Sequence, residues 1–207
     1  MMQTMNKIVL ASNNQGKLAE FSRLFKSLNI EVVPQSEFNI SECPEPYVTF
    51  VENALAKARH ASRYSGLPAL ADDSGICANA LHGKPGVHSA RYAGTEPKSD
   101  TANNAKLDDE LRNCDDKSVF YVCVLVLVHH PDDPQPLIAE ANWPGLWQSS
   151  AAGSNGFGYD PHFYVPDHKL TAAQMSQEEK NRISHRAQAL NILMDKLRQQ
   201  YGLNTHV

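Results

Sequence analysis

Lys7-Ile8-Val9-Leu10-Ala11 followed by Ser12-Asn13-Asn14-Gln15-Gly16-Lys17 is the stretch on which the fold reading turns. Five residues dominated by branched apolar side chains predict a buried strand. Leu18, Phe21, Leu24, Phe25 and Leu28 then recur at helical spacing, which predicts an amphipathic helix beginning at Leu18. The six residues between are therefore a strand-to-helix turn. The backbone N–H groups of such a turn face outward with the positive end of the helix dipole behind them, a setting that favours phosphate, and Lys17 adds a full charge. A Walker A loop would need glycine at position 11 and serine or threonine at position 18; the chain has Ala11 and Leu18, which excludes a P-loop nucleoside triphosphatase. A polar loop without a ligand remains the alternative on this segment alone.

The pattern continues as strand and helix by turns. Residues 30–34 predict a second strand, and residues 36–47 an acidic, proline-bearing loop. Residues 50–64 predict an alanine-rich helix closed by Ser65-Gly66. A short apolar run, residues 67–71, delivers Asp72-Asp73-Ser74-Gly75, where glycine permits a sharp turn. Residues 83–95 read as loop and residues 100–112 as helix. Residues 119–129 (VFYVCVLVLVH) carry the strongest strand signal, buried on both faces, and residues 137–147 pair with it across the turn 131–136. A glycine-rich loop (153–161) and a short strand (163–165) follow. Ser176-Gln177-Glu178-Glu179 is a capping box opening one helix that runs to about Tyr201. Alternating strands and helices with one long hairpin predict an α/β protein with a mixed sheet.

The chain has 207 residues, 42% hydrophobic and 20% charged, so one domain with two lobes is expected. Nineteen Lys and Arg against 23 Asp and Glu give a net charge of −4, a poor match to a polyanionic duplex but compatible with a small anion in one basic pocket. Cys43, Cys77, Cys114 and Cys123 lack CxxC spacing and read as reduced thiols. No signal-peptide pattern and no run of membrane-spanning length is visible, which points to a cytoplasmic protein.

Three further groups could carry chemistry. Asp72 and Asp73 at a strand end repel one another unless a hard cation such as Mg²⁺ is shared, or unless one of them takes a proton from water; solvated turn acids are the alternative. Glu42 and Glu45 are candidate additional ligands, or else simply charged residues of the loop. Phe157-Gly158-Tyr159-Asp160-Pro161 offers aromatic faces and a carboxylate to a base, or else a tight turn with its aromatics in the core. On the last helix Arg186 projects into an otherwise apolar arc formed by Ile183, Ala187, Leu190, Leu193, Met194, Leu197 and Tyr201, with Lys180 and His185 nearby. A cation directed inward requires an anionic partner, either a structural carboxylate or a ligand.

Taken in order, Ser12–Lys17, Phe50-Val51-Glu52-Asn53-Ala54, Ala71-Asp72-Asp73-Ser74-Gly75, Ser89-Ala90-Arg91-Tyr92, Trp143-Pro144-Gly145, Phe157–Pro161 and Ser184-His185-Arg186 closely resemble the dITP/XTP pyrophosphatase family, the Ham1-like group. The resemblance runs from Lys7 to about Leu197. It implies a long twisted mixed sheet flanked by helices in two lobes with a nucleotide cleft between them. It also implies a Mg²⁺-dependent cytosolic homodimer that hydrolyses noncanonical purine nucleoside triphosphates to the monophosphate and pyrophosphate. By the same match Ser12, Asn13, Asn14, Gln15, Gly16 and Lys17 would cradle the triphosphate. Asp73 would accept the proton of the attacking water and, with Asp72 and Glu45, bind metal. Ser74, Phe157, Gly158, Tyr159, Asp160, Lys180, His185 and Arg186 would hold the base and the remaining phosphate contacts. Many relatives carry two adjacent acids where this chain has Pro44-Glu45, so the loop ligand could be Glu45 alone or Glu42 as well. A Maf-like pyrophosphatase is disfavoured by the Asn-Asn-Gln-Gly-Lys loop, and a non-hydrolysing nucleotide sensor by the intact Asp72-Asp73 pair.

Overall fold

The computed structural model describes residues 5–94 and 98–201. Thr95, the end of the expected 83–95 loop, and the tail 202–207 lie outside the described residues. Seven strands form one mixed sheet: β1 Lys7–Leu10, β2 Glu31–Pro34, β3 Ala69–Ala78, β4 Ser118–Val128, β5 Leu137–Trp147, β6 Phe163–Val165 and β7 Leu170–Thr171, in the order β2-β1-β3-β4-β5-β6-β7. β1 runs parallel to both β2 and β3, whereas β6 is antiparallel to β5 and β7. Parallel neighbours need crossover connections, and the helices α1 (Gln15–Phe25) and α2 (Phe50–Ser65) lie in the crossovers from β1 to β2 and from β2 to β3. α3 (Asp100–Leu111), α4 (Gln177–Ile183) and α5 (His185–Tyr201) complete the chain.

Two compact units divide these elements. One comprises the described residues up to Asp73 with Val124–Ala139 and the chain from Leu190; the other comprises Ser74–Cys123 and Glu140–Ala189. In the first, Ile8, Val9 and Leu10 of β1 and Phe21 and Phe25 of α1 are fully buried. In the second, Ile76, Leu107, Leu111, Tyr121, Trp143, Trp147, Tyr159 and Phe163 share one core. All four cysteines are free thiols, and among the described residues no helix is long and apolar enough to cross a membrane.

Several expectations need correction. α1 begins at Gln15 rather than Leu18, because the Asn14 side chain caps it by accepting the Lys17 N–H; the Gln15-Gly16-Lys17 half of the expected loop is helical. Asp72-Asp73-Ser74-Gly75 is not a turn at a strand end but the middle of β3, which continues to Ala78. The capping box at Ser176 is present, but the final helix is two: Ser184 takes an extended conformation (φ −65°, ψ 159°), ending α4 before α5 begins. β7, two residues long, is too short for its alternation to register in sequence.

Candidate functional site

Register explains why the amide turn and the aspartates meet. Val9 pairs with Ala69 and Leu10 with Leu70; β1 then leaves the sheet while β3 carries on through Asp72 and Asp73. The start of α1 is therefore delivered beside the continuing strand, at the carboxyl end of β1 where its two crossovers part, the usual ligand position in open α/β sheets. Lys17 sits in the first turn of α1, and its Nζ donates to Asp72 Oδ1 at 2.9 Å and lies 2.8 Å from Oδ2. The Asp72 side chain is 2% exposed, that of Lys17 25%. Lys17 N–H is taken by the Asn14 cap and Asn14 N–H by Ser12 Oγ, so the Gln15 and Gly16 amides, the first two of the helix, point beyond its end.

Successive residues of a strand face opposite ways, so Asp73 meets different partners. Lys57 Nζ lies 3.0 Å from Asp73 Oδ1 and 2.7 Å from Glu45 Oε1, holding the two acids together. Asn53 Nδ2 donates to Asp73 Oδ2 at 3.4 Å. Asn53 and Lys57 are one turn apart on α2 and hence share a face. Asn53 also exchanges hydrogen bonds with the Tyr47 backbone, pinning the loop that carries Glu45. Burial raises the Asp73 carboxyl above its ordinary value; Lys57 pulls it down without cancelling that effect. For Lys57 burial works against the charge, but Asp73 and Glu45 outweigh it and the ammonium is held above its usual value. Glu42 is exposed.

The structure thus brings Lys17, Asp72, Asp73 and Glu45 into one charged cluster and adds Asn53 and Lys57, which the sequence reading did not assign. Their signal was available: two polar residues at i and i+4 on the alanine face of FVENALAKA, alongside the buried Ala54, Ala58 and Ala61. Among the described residues no three acids, histidines or cysteines converge into a ready cation cage. Asp72 is directed to Lys17 while Asp73 and Glu45 share Lys57. Two carboxylates and no more still suit Mg²⁺, which keeps waters and takes further oxygens from substrate phosphates.

In the other unit a second set is organised by Asp160, which is 2% exposed. Its carboxylate accepts the Tyr121 hydroxyl at 3.1 Å and the Phe157 N–H at 2.9 Å, and it pairs with Lys180. Burial, then Asp160, pushes the Tyr121 phenol well above its usual value, keeping it a neutral donor. Gly156 has φ +77°, and a Cβ there would meet Asp160 Oδ2 at 2.1 Å, so the turn admits only glycine. Asp100 and Asn104 at the start of α3 grip Gly158, the first accepting its N–H at 2.7 Å and the second donating to its carbonyl at 2.9 Å. Phe157 is left 69% exposed, with Lys180 Nζ 5.5 Å from its ring centre. Tyr159 goes the other way: buried, with its hydroxyl on the Ser89 carbonyl at 2.7 Å. His185, opening α5, stacks on Tyr121 at 4.7 Å and 12°, and Arg186 is half-buried beside it in sequence. Ser74 Oγ is buried with no hydrogen-bond partner among the described residues.

The first unit thus sets an amide-rich helix start beside paired carboxylates and lysines, a combination that suits an organic phosphate, and the second carries an exposed aromatic and a buried acid–lysine pair. The chain belongs to the Ham1 family, whose model matches residues 8–196. A dITP/XTP pyrophosphatase of Neisseria meningitidis serogroup B is 68% identical over 191 residues, 92% of this chain and 96% of that protein. A HAM1 protein from Coxiella burnetii superimposes with a TM-score of 0.91 at 47% identity, covering 94% of this chain and 100% of that one. The Ham1 protein of Staphylococcus aureus gives 0.88 at 41% identity, over 94% of this chain and 99% of that one.

Proposed function

We propose that this protein hydrolyses noncanonical purine nucleoside triphosphates (dITP, ITP and XTP) to the nucleoside monophosphate and pyrophosphate, clearing them from the nucleotide pool. The observation that carries the reading is the meeting of Lys17, from the amide turn, with the Asp72-Asp73 strand. A relative 68% identical over nearly the whole chain bears the name of that activity.

The amides at the start of α1 and the Lys17 ammonium bind the triphosphate, with Ser12, Asn13 and Asn14 shaping the turn. Asp73, poised by burial to hold a proton more readily than an ordinary carboxylate, takes one from the water that attacks the α–β anhydride. Lys17 steadies the departing pyrophosphate. Glu45 and Asp73, with Asp72 adjoining, are the residues that would hold Mg²⁺, which when bound neutralises polyphosphate charge. In the other unit Phe157 supplies a stacking face, and Asp160 and Lys180 fix its loop. His185 and Arg186 are the candidate donors to the 6-keto oxygen of hypoxanthine or xanthine, with Ser74 Oγ a further substrate donor. Adenine presents an amino group at that position and leaves such donors unpaired. The same reading takes residues 1–207 as one pyrophosphatase domain acting as a cytoplasmic homodimer.

Steady-state rates with dITP, XTP, dATP and dGTP plus Mg²⁺ test the proposal. Preference for dITP and XTP supports it; binding of all four without turnover would make the protein a sensor and overturn it.

A further inference from the structure

Lys57 occupies the place that a cation shared by Glu45 and Asp73 would need. Its Nζ touches Glu45 Oε1 at 2.7 Å and Asp73 Oδ1 at 3.0 Å, and its side chain is only 15% exposed. The adjacent acid is treated alike, since Lys17 spans both oxygens of Asp72. Lys17 and Lys57 thus lie against the three carboxylates of the cluster. An acid pair already closed by an ammonium is a weak cation site, because the incoming ion must break two short ion pairs and then sit beside the displaced charge.

We infer that Lys57 is a built-in counter-cation that keeps the Glu45–Asp73 pair closed to divalent metal until a polyphosphate arrives. A triphosphate changes the balance in two ways. It brings the oxygens that Mg²⁺ requires beyond one or two carboxylates, and its negative charge offers the ammonium another partner. Asn53, which holds the other oxygen of Asp73 and anchors the Glu45 loop through Tyr47, keeps the two acids in place while the lysine leaves. Metal and nucleotide then bind together, and the free protein does not carry a resident ion. Lys57 acts here as a positioning residue through the two acids, and the inference rests on the functional reading above.

The test is direct titration of the nucleotide-free protein with Mn²⁺ alone, followed by the electron paramagnetic resonance of the free aqueous ion. It compares wild type with Lys57→Met, which keeps the apolar stem, and Lys57→Arg, which keeps the charge. Lys57→Met should bind Mn²⁺ about tenfold more tightly or better, whereas Lys57→Arg should stay at the wild-type level. A lysine that serves only as a strut predicts the reverse: equal or weaker Mn²⁺ binding in Lys57→Met overturns the inference. Should Lys57→Met melt early, the Mn²⁺-induced rise in Tm of Lys57→Gln gives the same comparison, larger than in wild type if the inference holds and no larger if it fails. Wild-type turnover of dITP with Mg²⁺, measured on the same preparation, separates the two levels. An active wild type with unchanged Mn²⁺ affinity in the variants removes the Lys57 role alone; an inactive one removes the functional reading.

Discussion

Asp73→Asn should cut turnover sharply without loosening the fold. In the native state Asp73 holds its proton more readily than it would in the unfolded chain, because burial outweighs the pull of Lys57. The ionised carboxylate at neutral pH opposes folding relative to a neutral group, and that handicap disappears once the pH falls below both the folded and unfolded values. An uncharged isostere keeps an oxygen for Asn53, and Lys57 retains Glu45 at 2.7 Å. The Tm of Asp73→Asn at neutral pH should accordingly equal or exceed that of wild type, with the difference shrinking in acid. Turnover should fall by about 10²–10⁴, the usual worth of a positioned general base, equivalent to about 3–5 kcal/mol of barrier. Lys17→Met provides the contrast. It removes the Lys17 ammonium from the Asp72 carboxylate, which is 2% exposed. Breaking a buried pair costs about 3–5 kcal/mol, and the partial exposure of Lys17 places this case at about 3. At about 2–4 °C per kcal/mol for a chain of this size, Tm should drop by roughly 6–12 °C. Differential scanning calorimetry with a coupled pyrophosphate assay reads both quantities. Asp73→Asn retaining activity within tenfold of wild type, or melting many degrees lower, would refute the assignment of Asp73 as base.

Asp160→Ala should lower Tm and raise KM for dITP together, since it frees Lys180 and leaves the buried Tyr121 hydroxyl without an acceptor, at a cost of about 3–5 kcal/mol; unchanged Tm would contradict the organising role. Gly153→Ala should express poorly or melt far below wild type, because a Cβ there lies 2.3 Å from the Ala173 carbonyl carbon at φ +83°, and neither backbone can yield; a soluble, wild-type-like variant would contradict that packing. Asp133 holds the His129 N–H and ring at 2.9 and 2.8 Å and is kept below the ordinary carboxylate range, since hydrogen bonds from His129 and Gln135 outweigh its burial. Its contribution is present above the unfolded value and lost as pH falls through the folded one. The Tm gap between wild type and Asp133→Ala should therefore be widest at neutral pH and close in acid, and a gap independent of pH would count against it.

Much of the framework was legible because its signals are local. The branched run of β4 and its hairpin partner β5 fall where the sequence places them. The Ser176 capping box forms as its spacing requires, and the Gly66 helix stop takes the left-handed conformation. Misses arose where tertiary contacts override local cues. Gly75 suggested a turn after the aspartates, yet β3 runs through it, with Ser89 Oγ accepting the Ile76 N–H at 2.9 Å just beyond. The long apolar arc across Ile183 and Ala187 hid the break at Ser184, since phase carries over a single extended residue. In the candidate site, residue types singled out Lys17, Asp72 and Asp73 and left Glu42 and Glu45 side by side as further candidates. Only the geometry reveals that Asp72 and Asp73 face different lysines and that Asp160 spends its oxygens on Tyr121, Phe157 and Lys180.

In the proposed reaction the carboxylate–lysine cluster directs water to the anhydride between the α- and β-phosphates. Phosphorus NMR of dITP turned over by the wild-type protein with Mg²⁺ reads this bond by bond. One pyrophosphate should appear for each dIMP, with no orthophosphate at early times, and both products should form about 10²–10⁴ times more slowly with Asp73→Asn. Orthophosphate accumulating with dIDP would place cleavage at the terminal phosphate and contradict the account.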